Sequence, residues 1–476
     1  MRGAYIVIAI LLWFSLGAAL SLRERKRMRA GFSEYFIAGG RLSGFMSFMT
    51  YSATTYSAFM MVGLVGMVYM DGVAAFGFEM LYLVSTIFLI TIFGPRVWAA
   101  GKAFGLATPS RLLSVRYESK AVGTIFVVIC SIMLIPYLSV QLMGMGYLVE
   151  TLSEGSMSYI AGALIVVIFS LIYSWIAGMR SVATTDALQA VMMLLSVSLL
   201  LLFVIVTYFG SVRGLFEGIA TSKPRLMQIN WSAERFIGLT LPWIFFAIVN
   251  PQSIQRFFMP EKLSSLRVLL VGHSFFGFFY TVICVMTGLA TAVIIPGIKV
   301  ADNAMPVLLT RIPALLALIV LVGIMAAAVS TVDSIVLTLS SMVGSDVYNG
   351  KNKLLAGKMF IPFLLVISFF FAQMRFDLIV MLSSASSGCL LATLPAIVGC
   401  FFWKRSTASG AVSGIITGSA VTVFLYISGI KSLGQWPPVW GLLISVIVFV
   451  ITSMMTRPPR EDFIERIEKE LRSDGA

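Results

Sequence analysis

The sequence predicts an all-α integral membrane protein. Hydrophobic residues make up 59% of the 476 residues and charged residues only 12%, with a mean hydropathy of +0.97. A soluble chain of this length is not that apolar. Apolar stretches long enough to span a bilayer recur along the whole chain. The Lys and Arg residues gather in the short connections between them, so the net charge of +13 is a signal of topology and not of nucleic-acid binding. The 4 Cys all fall in apolar runs and read as small packing residues without a disulfide framework.

Segment 1 covers 5–22 and is followed by the basic run Arg23-Glu-Arg-Lys-Arg-Met-Arg29. With no small-residue cleavage site it reads as a retained helix, its N-terminus outside and the basic run in the cytoplasm. Segments 2 and 3 cover 45–69 and 75–97, and the next connection carries Arg96, Lys102, Arg111, Arg116 and Lys120. Segments 4, 5 and 6 cover 122–149, 159–177 and 183–208, with Arg180 at an inner turn. An outer, partly polar loop spans 210–235. Segments 7 and 8 cover 236–258 and 269–295, separated by Lys262 and Arg267. Segments 9, 10 and 11 cover 313–347, 355–372 and 378–402, closed by Trp403-Lys-Arg405. Segments 12 and 13 cover 408–427 and 439–455, and a charged tail follows from Arg457. About thirteen helices put the C-terminus inside, which agrees with the placement of charge. The expected location is the plasma membrane.

Two segments are interrupted. Segment 2 contains Thr50-Tyr-Ser-Ala-Thr-Thr-Tyr-Ser57, and segment 7 contains Pro242 and then Asn250-Pro251-Gln252. Pro251 removes a backbone donor and disfavours helix at Asn250, which makes these two a hinge. Either Pro251 is a packing kink, or the freed backbone lines a cavity. The two interruptions lie five segments apart, the pattern of two inverted five-helix halves with a site near the midplane. The expected division is 1–43 for the first helix and basic loop, and 44–235 for the first half with its outer loop. It continues with 236–405 for the second half and 406–476 for the last two helices and tail.

The middle of segment 9 holds Ser330, Thr331, Asp333 and Ser334. A carboxylate there costs roughly 2.5–3.5 kcal/mol to insert, so Asp333 needs a partner or a watery cavity. Ala327, Ser330, Thr331 and Ser334 share a face at i, i+3, i+4 and i+7. That strip of oxygens suits a hard cation such as Na⁺; hydroxyls that pack helix on helix are the alternative. Asp186 stands near the inner end of segment 6, either as a helix cap or as a functional carboxylate. Glu79 lies within segment 3, and Tyr137 and Gln141 sit one turn apart in segment 4. Segment 11 carries Ser383-Ser-Ala-Ser-Ser-Gly388. His273, the only histidine, reads as packing, and no zinc or haem pattern is present.

These motifs carry a resemblance. Residues 52–66, Thr108-Pro-Ser-Arg-Leu-Leu-Ser-Val-Arg-Tyr117, Gly178-Met-Arg-Ser-Val-Ala-Thr-Thr-Asp-Ala-Leu-Gln189, Pro251-Gln-Ser-Ile-Gln-Arg256 and 326–334 together resemble the sodium/solute symporter family, in particular its proline and pantothenate permeases. The resemblance covers nearly the whole chain and implies a leucine-transporter-like fold, with segments 2–11 as the core. It implies a Na⁺ site from the carbonyls of Ala53, Tyr56 and Ala327 and the hydroxyls of Ser330 and Thr331. Asp186, Asp333 and Ser334 match a second site found in some members; Asp333 stands there for a hydroxyl, and a second cation or a proton fits it. Implied substrate contacts are Ser57, Phe59, Tyr137, Gln141, Trp243 and the serines Ser383, Ser384 and Ser387, with Glu79 as an additional candidate. Thr55, Phe59 and Ala247 replace an Asp, a Trp and a Tyr of the proline permeases.

The expected function is Na⁺-coupled uptake of a small organic solute, either an amino acid such as proline or a monocarboxylate or pantothenate-like acid. The alternative is a proton-coupled symporter of the same fold using Asp186, Asp333 or Glu79. The expected partners are Na⁺, the solute and the lipid bilayer, with no nucleic acid and with a monomer as the working unit. No catalytic constellation marks an enzyme.

Overall fold

A computed structural model describes residues 3–375, 379–429, 436–459 and 463–474. Among these the regular structure is all helical, with one isolated bridge, Leu42 with Pro260. The first membrane helix is α1 (Gly3–Arg25), followed by α2, whose halves Gly44–Thr55 and Phe59–Asp71 are bent by 52°. Then come α3 (Val73–Phe104), α4 (Lys120–Leu152), α5 (Tyr159–Ile176) and α6 (Gly178–Phe209). Helix α7 is in three pieces, Ala233–Ile244, Phe246–Val249 and Pro251–Arg256. The remainder are α8 (Leu263–Ile294), α9 (Ala314–Val347), α10 (Lys353–Ala372), α11 (Met381–Phe402), α12 (Ala408–Ser428) and α13 (Pro437–Met455). The expected start of segment 11 at Leu378 lies outside the described residues.

Among the described residues, eleven helices are long and apolar enough to cross a membrane, and α2 makes a twelfth if its halves count as one span. The thirteenth expected segment is α7. Its pieces of 12, 4 and 6 residues are each too short to cross alone.

Helix α9 is the central pillar. Every residue from Val320 to Met342 is buried, the signature of a helix packed on all sides. Large apolar side chains point outward from the surrounding helices, among them Leu12, Phe88, Phe275 and Phe370. A belt of that kind is stable in hydrocarbon and would be an aggregation surface in water.

Between α5 and α6 the chain turns at Gly178, with φ 55° and ψ −144°. A side chain there is strained in conformation, and a Cβ would lie 2.8 Å from the Tyr35 ring. Tyr35 in turn donates to the Ser174 carbonyl at 2.6 Å, so the loop after α1 is pinned beneath this turn. Asp186 falls eight residues after Gly178, beyond the four free N–H groups of the helix start. The capping reading of Asp186 therefore does not hold. All four cysteines are free and buried.

Candidate functional site

The break in α2 is built by its own side chains and by one from α4. Thr55 Oγ1 donates back to the Tyr51 carbonyl at 2.9 Å, which competes with the helix ladder. Tyr56 then turns extended, at φ −94° and ψ 95°. The second half needs acceptors for its first N–H groups, and it finds them locally. Ser57 Oγ accepts from the Phe59 N–H at 3.1 Å, and Gln141 Oε1 of α4 accepts from the Ala58 N–H at 3.2 Å.

Helix α9 crosses this break. Ser330 Oγ lies 2.8 Å from the Ala53 carbonyl and 3.1 Å from the Ala327 carbonyl. Thr331 Oγ1 lies 3.4 Å from the Thr54 carbonyl. The donor set is entirely oxygen, neutral and dry, which fits a hard monovalent cation and no transition metal. No group of three or more His, Cys, Asp or Glu able to hold a metal ion occurs among the described residues.

One helical turn further along α9 the site becomes charged. Asp186 Oδ2 accepts from Thr50 Oγ1 at 2.5 Å, and it lies 3.8 Å from Arg256 of α7, both side chains fully buried. Arg256 also donates to Ser334 Oγ, which contacts Thr54 Oγ1 at 2.8 Å. Asp333 points to the other side, where Ser174 of α5 donates to its Oδ1 at 3.2 Å. The structure thus joins Asp186 and Ser334 through Arg256, and it sets Asp333 against Ser174 of α5.

The outer side of the break is aromatic. The Trp243 ring stacks on Phe59 at 4.9 Å and on Phe246 at 5.4 Å. Phe78 and Tyr82 of α3 meet it edge-on at 5.8 and 5.7 Å. The Trp243 Nε1–H donates to Ser384 Oγ at 3.0 Å, which ties α7 to α11. Tyr137 of α4 is buried, its ring 6.3 Å from that of Phe246. Ser383 instead donates to its own helix, at the Ile379 carbonyl, 2.8 Å away, and Ser387 is buried. Helix α7 is interrupted at Asn250, with φ −86° and ψ 118°, and Pro251 opens the next piece.

A profile of the sodium:solute symporter family matches residues 35–418. The chain belongs to the sodium:solute symporter family. The symporter is similar to the sodium/proline symporter of Staphylococcus aureus, strains JH9 and NCTC 8325, at 24% identity over 490 residues, covering 96% of this chain and 93% of the relative. Its fold is similar to that of a Na⁺-coupled sialic acid symporter solved in a substrate-bound outward-open state. The TM-score is 0.82 at 17% identity, over 96% of this chain and 98% of that one. It is also similar to a nucleobase-cation-symport-1 family transporter in a closed conformation, with TM-score 0.56 at 12% identity over 92% and 98%. The fold is leucine-transporter-like, the protein is a transporter and not an enzyme, and Na⁺ is its coupling ion.

Four residues of the charged cluster were not among the expected site residues: Thr50, Thr54, Ser174 and Arg256. Arg256 carried a signal, being a guanidinium inside an apolar segment. Thr50 and Thr54 stood out only as part of the polar interruption of segment 2, and Ser174 carried no signal, because single hydroxyls in membrane helices are common. A second interruption of α7, at Phe245 with φ −97° and ψ 6°, also had no marker in the sequence.

Proposed function

We propose that the symporter carries a small organic solute into the cell together with Na⁺. In this reading the carbonyls of Ala53, Tyr56 and Ala327 and the hydroxyls of Ser330 and Thr331 hold the ion. One observation carries it: the Ser330 hydroxyl sits 2.8 Å from the Ala53 carbonyl, in the last turn of α2 before its break, where the carbonyls lose their helical partners. An ion at that junction ties α2 to α9 and favours whichever state brings them together. The solute lies between the α2 break, Tyr137 and Gln141 of α4, Trp243 of α7 and Ser384 of α11. An amino acid such as proline, or a monocarboxylate or pantothenate-like acid, is of the size this region would take, and the curated relatives are named for proline transport.

Arg256 bears on the second site. Its guanidinium already stands against Asp186 and Ser334, so a tethered cation serves the carboxylate that a second ion would need. The arrangement supports one Na⁺ per cycle. A single charge moving through 100 mV supplies roughly 2.3 kcal/mol, or about a fiftyfold solute gradient at 1.36 kcal/mol per decade. The two halves 44–235 and 236–405 are the elements that move, hinged at Asn250 and Pro251. The N-terminus faces outward and the C-terminus the cytoplasm, as the basic connections direct. The working unit in this reading is a monomer.

The test is uptake into proteoliposomes under an imposed Na⁺ gradient. Ser330→Ala with Thr331→Ala removes both hydroxyl ligands, and Na⁺ stimulation is expected to fall by at least about tenfold, equivalent to 1.4 kcal/mol. Wild-type Na⁺ dependence in the folded double variant would place the ion elsewhere.

A further inference from the structure

The charged tail contains a helix that the transport reading leaves without work. Helix α14 (Phe463–Asp474) is amphipathic, with Phe463, Ile464, Ile467 and Leu471 on one face at i, i+1, i+4 and i+8. Phe463 and Ile467 are 1% and 3% exposed, and what covers this face is the inner end of α3. The Phe463 ring stacks on that of Phe104 at 4.8 Å, and the Arg466 guanidinium lies 4.2 Å from the centre of the same ring. Glu465 points elsewhere. Its Oε1 accepts from Lys404 Nζ, in the connection between α11 and α12, at 3.0 Å. Both side chains of that pair are exposed, so the pair adds little, and the buried apolar face does the holding. The helix carries three basic and four acidic residues, so an anionic lipid surface does not compete for it.

The two places that α14 touches belong to different halves. Phe104 ends α3, within 44–235, and Lys404 stands at the close of 236–405. The seam between the same two elements is shut just inside the membrane. Phe93 of α3 meets Phe401 and Phe402 of α11 edge-on at 6.1 and 5.3 Å, and the Arg96 guanidinium lies 4.7 Å from the centre of the Phe402 ring. Parting α3 from the end of α11 breaks these contacts, and it also pulls on whatever spans them. Helix α14 is what spans them, and it is held by a few side chains on one face.

We propose that α14 is a releasable clamp across this seam: docked, it holds α3 to the α11–α12 connection and restrains opening toward the cytoplasm. This rests on the reading that 44–235 and 236–405 move against each other and that the C-terminus is cytoplasmic. The clamp favours the state closed on the inside only by the free energy of its own docking, so its loss shifts a balance and does not create a new state. Anything that competes for the Phe463 and Ile467 face then speeds delivery to the cytoplasm.

The experiment is a distance measurement by electron paramagnetic resonance on the purified protein in Na⁺ and in K⁺. Spin labels go on Lys102→Cys of α3 and Ser409→Cys of α12, both exposed positions. The four native cysteines are buried, which leaves the label to the introduced pair. Two changes release the clamp. Ile467→Asp sets a carboxylate into the docked face of the full chain, and deletion of 460–476 removes the helix. In K⁺ each is expected to raise the population at the longer distance by at least about threefold over the labelled parent. Heat stability in Na⁺ is expected to stay near that of the parent, which shows that both are folded. Unchanged distances in both would overturn the proposal. So would a change on deletion that Ile467→Asp does not reproduce, because the apolar face would then not be what holds. A longer distance that answers to release but not to the exchange of Na⁺ for K⁺ would keep the clamp and count against ion control of the seam.

Discussion

Glu34 lies in the connection between α1 and α2, yet only 5% of its side chain is exposed. Burial pushes its acidity down, but hydrogen bonds and charge from Arg41 and Arg180 outweigh that and hold its pKa below the ordinary 4.5. Arg41 donates to it at 2.6 Å and Arg180 at 2.8 Å, so one carboxylate fastens this connection to the start of α6. A depressed carboxylate stabilises the fold fully above its unfolded value, and that stability is lost as pH falls through the folded value. Glu34→Gln is therefore expected to destabilise the protein at pH 7 by roughly 1–2 kcal/mol, after allowing for solvent screening of the partly exposed Arg41. The difference between the two melting temperatures is expected to shrink only below pH 4.5. A difference that persists unchanged at more acidic pH would assign the effect to shape and not to charge. The same scale shows what a sequence conceals. The Ser330 and Thr331 strip was legible because its spacing is helical and its residues are contiguous. The pairing of Arg256 with Asp186 joins positions 70 residues apart, on helices whose rotation no local pattern fixes.

At the scale of elements, the interruptions divide by mechanism. Asn250-Pro251 could be read directly, since proline dictates both the lost donor and the conformation before it. The bend in α2 depends on Gln141, which arrives from α4 to satisfy the Ala58 N–H, so segment 2 alone gave only a polar interruption. The break at Phe245 was not foreseen. Segment 7 was expected as one span hinged at Asn250-Pro251, and this additional break makes α7 three pieces. The pair α12 and α13 shows another device. Gly410, Gly414 and Gly418 present a flat stripe to α13, where a Cβ on Gly418 would come 2.8 Å from the Gly441 carbonyl and one on Gly414 3.0 Å from the Ser445 carbonyl. Without a hydrophobic drive between helices in lipid, close backbone approach is the attraction. Gly418→Leu is expected to separate this pair and cost about 1–3 kcal/mol. Proteolytic nicking of the connection before α13 in detergent would report it, and a rate equal to wild type would contradict it.

For the whole molecule, composition alone settled the class, and the helix count followed because hydrocarbon forces every backbone group into a helix. The arrangement of the helices around α9 was not in the composition. It came from the resemblance, and it reflects which helix can be buried on every side. Helix α9 tolerates that position because its hydroxyls, Ser340 apart, either bond back to their own turn, as Thr338 does to the Ser334 carbonyl at 2.7 Å, or meet a neighbour. Gln255 of α7 is such a neighbour, donating to Ser341 Oγ at 2.8 Å and to the Ala107 carbonyl at 3.2 Å. The polar content of the core is thereby concentrated along one axis, where α2, α6, α7 and α9 meet.

The aromatic lid over the break has a kinetic consequence. Phe59, Trp243 and Phe246 are each no more than 2% exposed, so a molecule held beneath them is closed off on that side until the rings part. Residence time is then set by how often the helices part and not by how tightly the guest is gripped. In most binding proteins affinity differences appear in the rate of escape; here they belong in the rate of capture. Two labelled ligands of very different affinity are expected to leave the Na⁺-loaded protein at rates within about threefold of each other, limited by the same opening motion. Escape rates that scale with affinity would mean that the lid is porous. If they do not, what the molecule selects is decided at the doorway, in the brief intervals when it stands open.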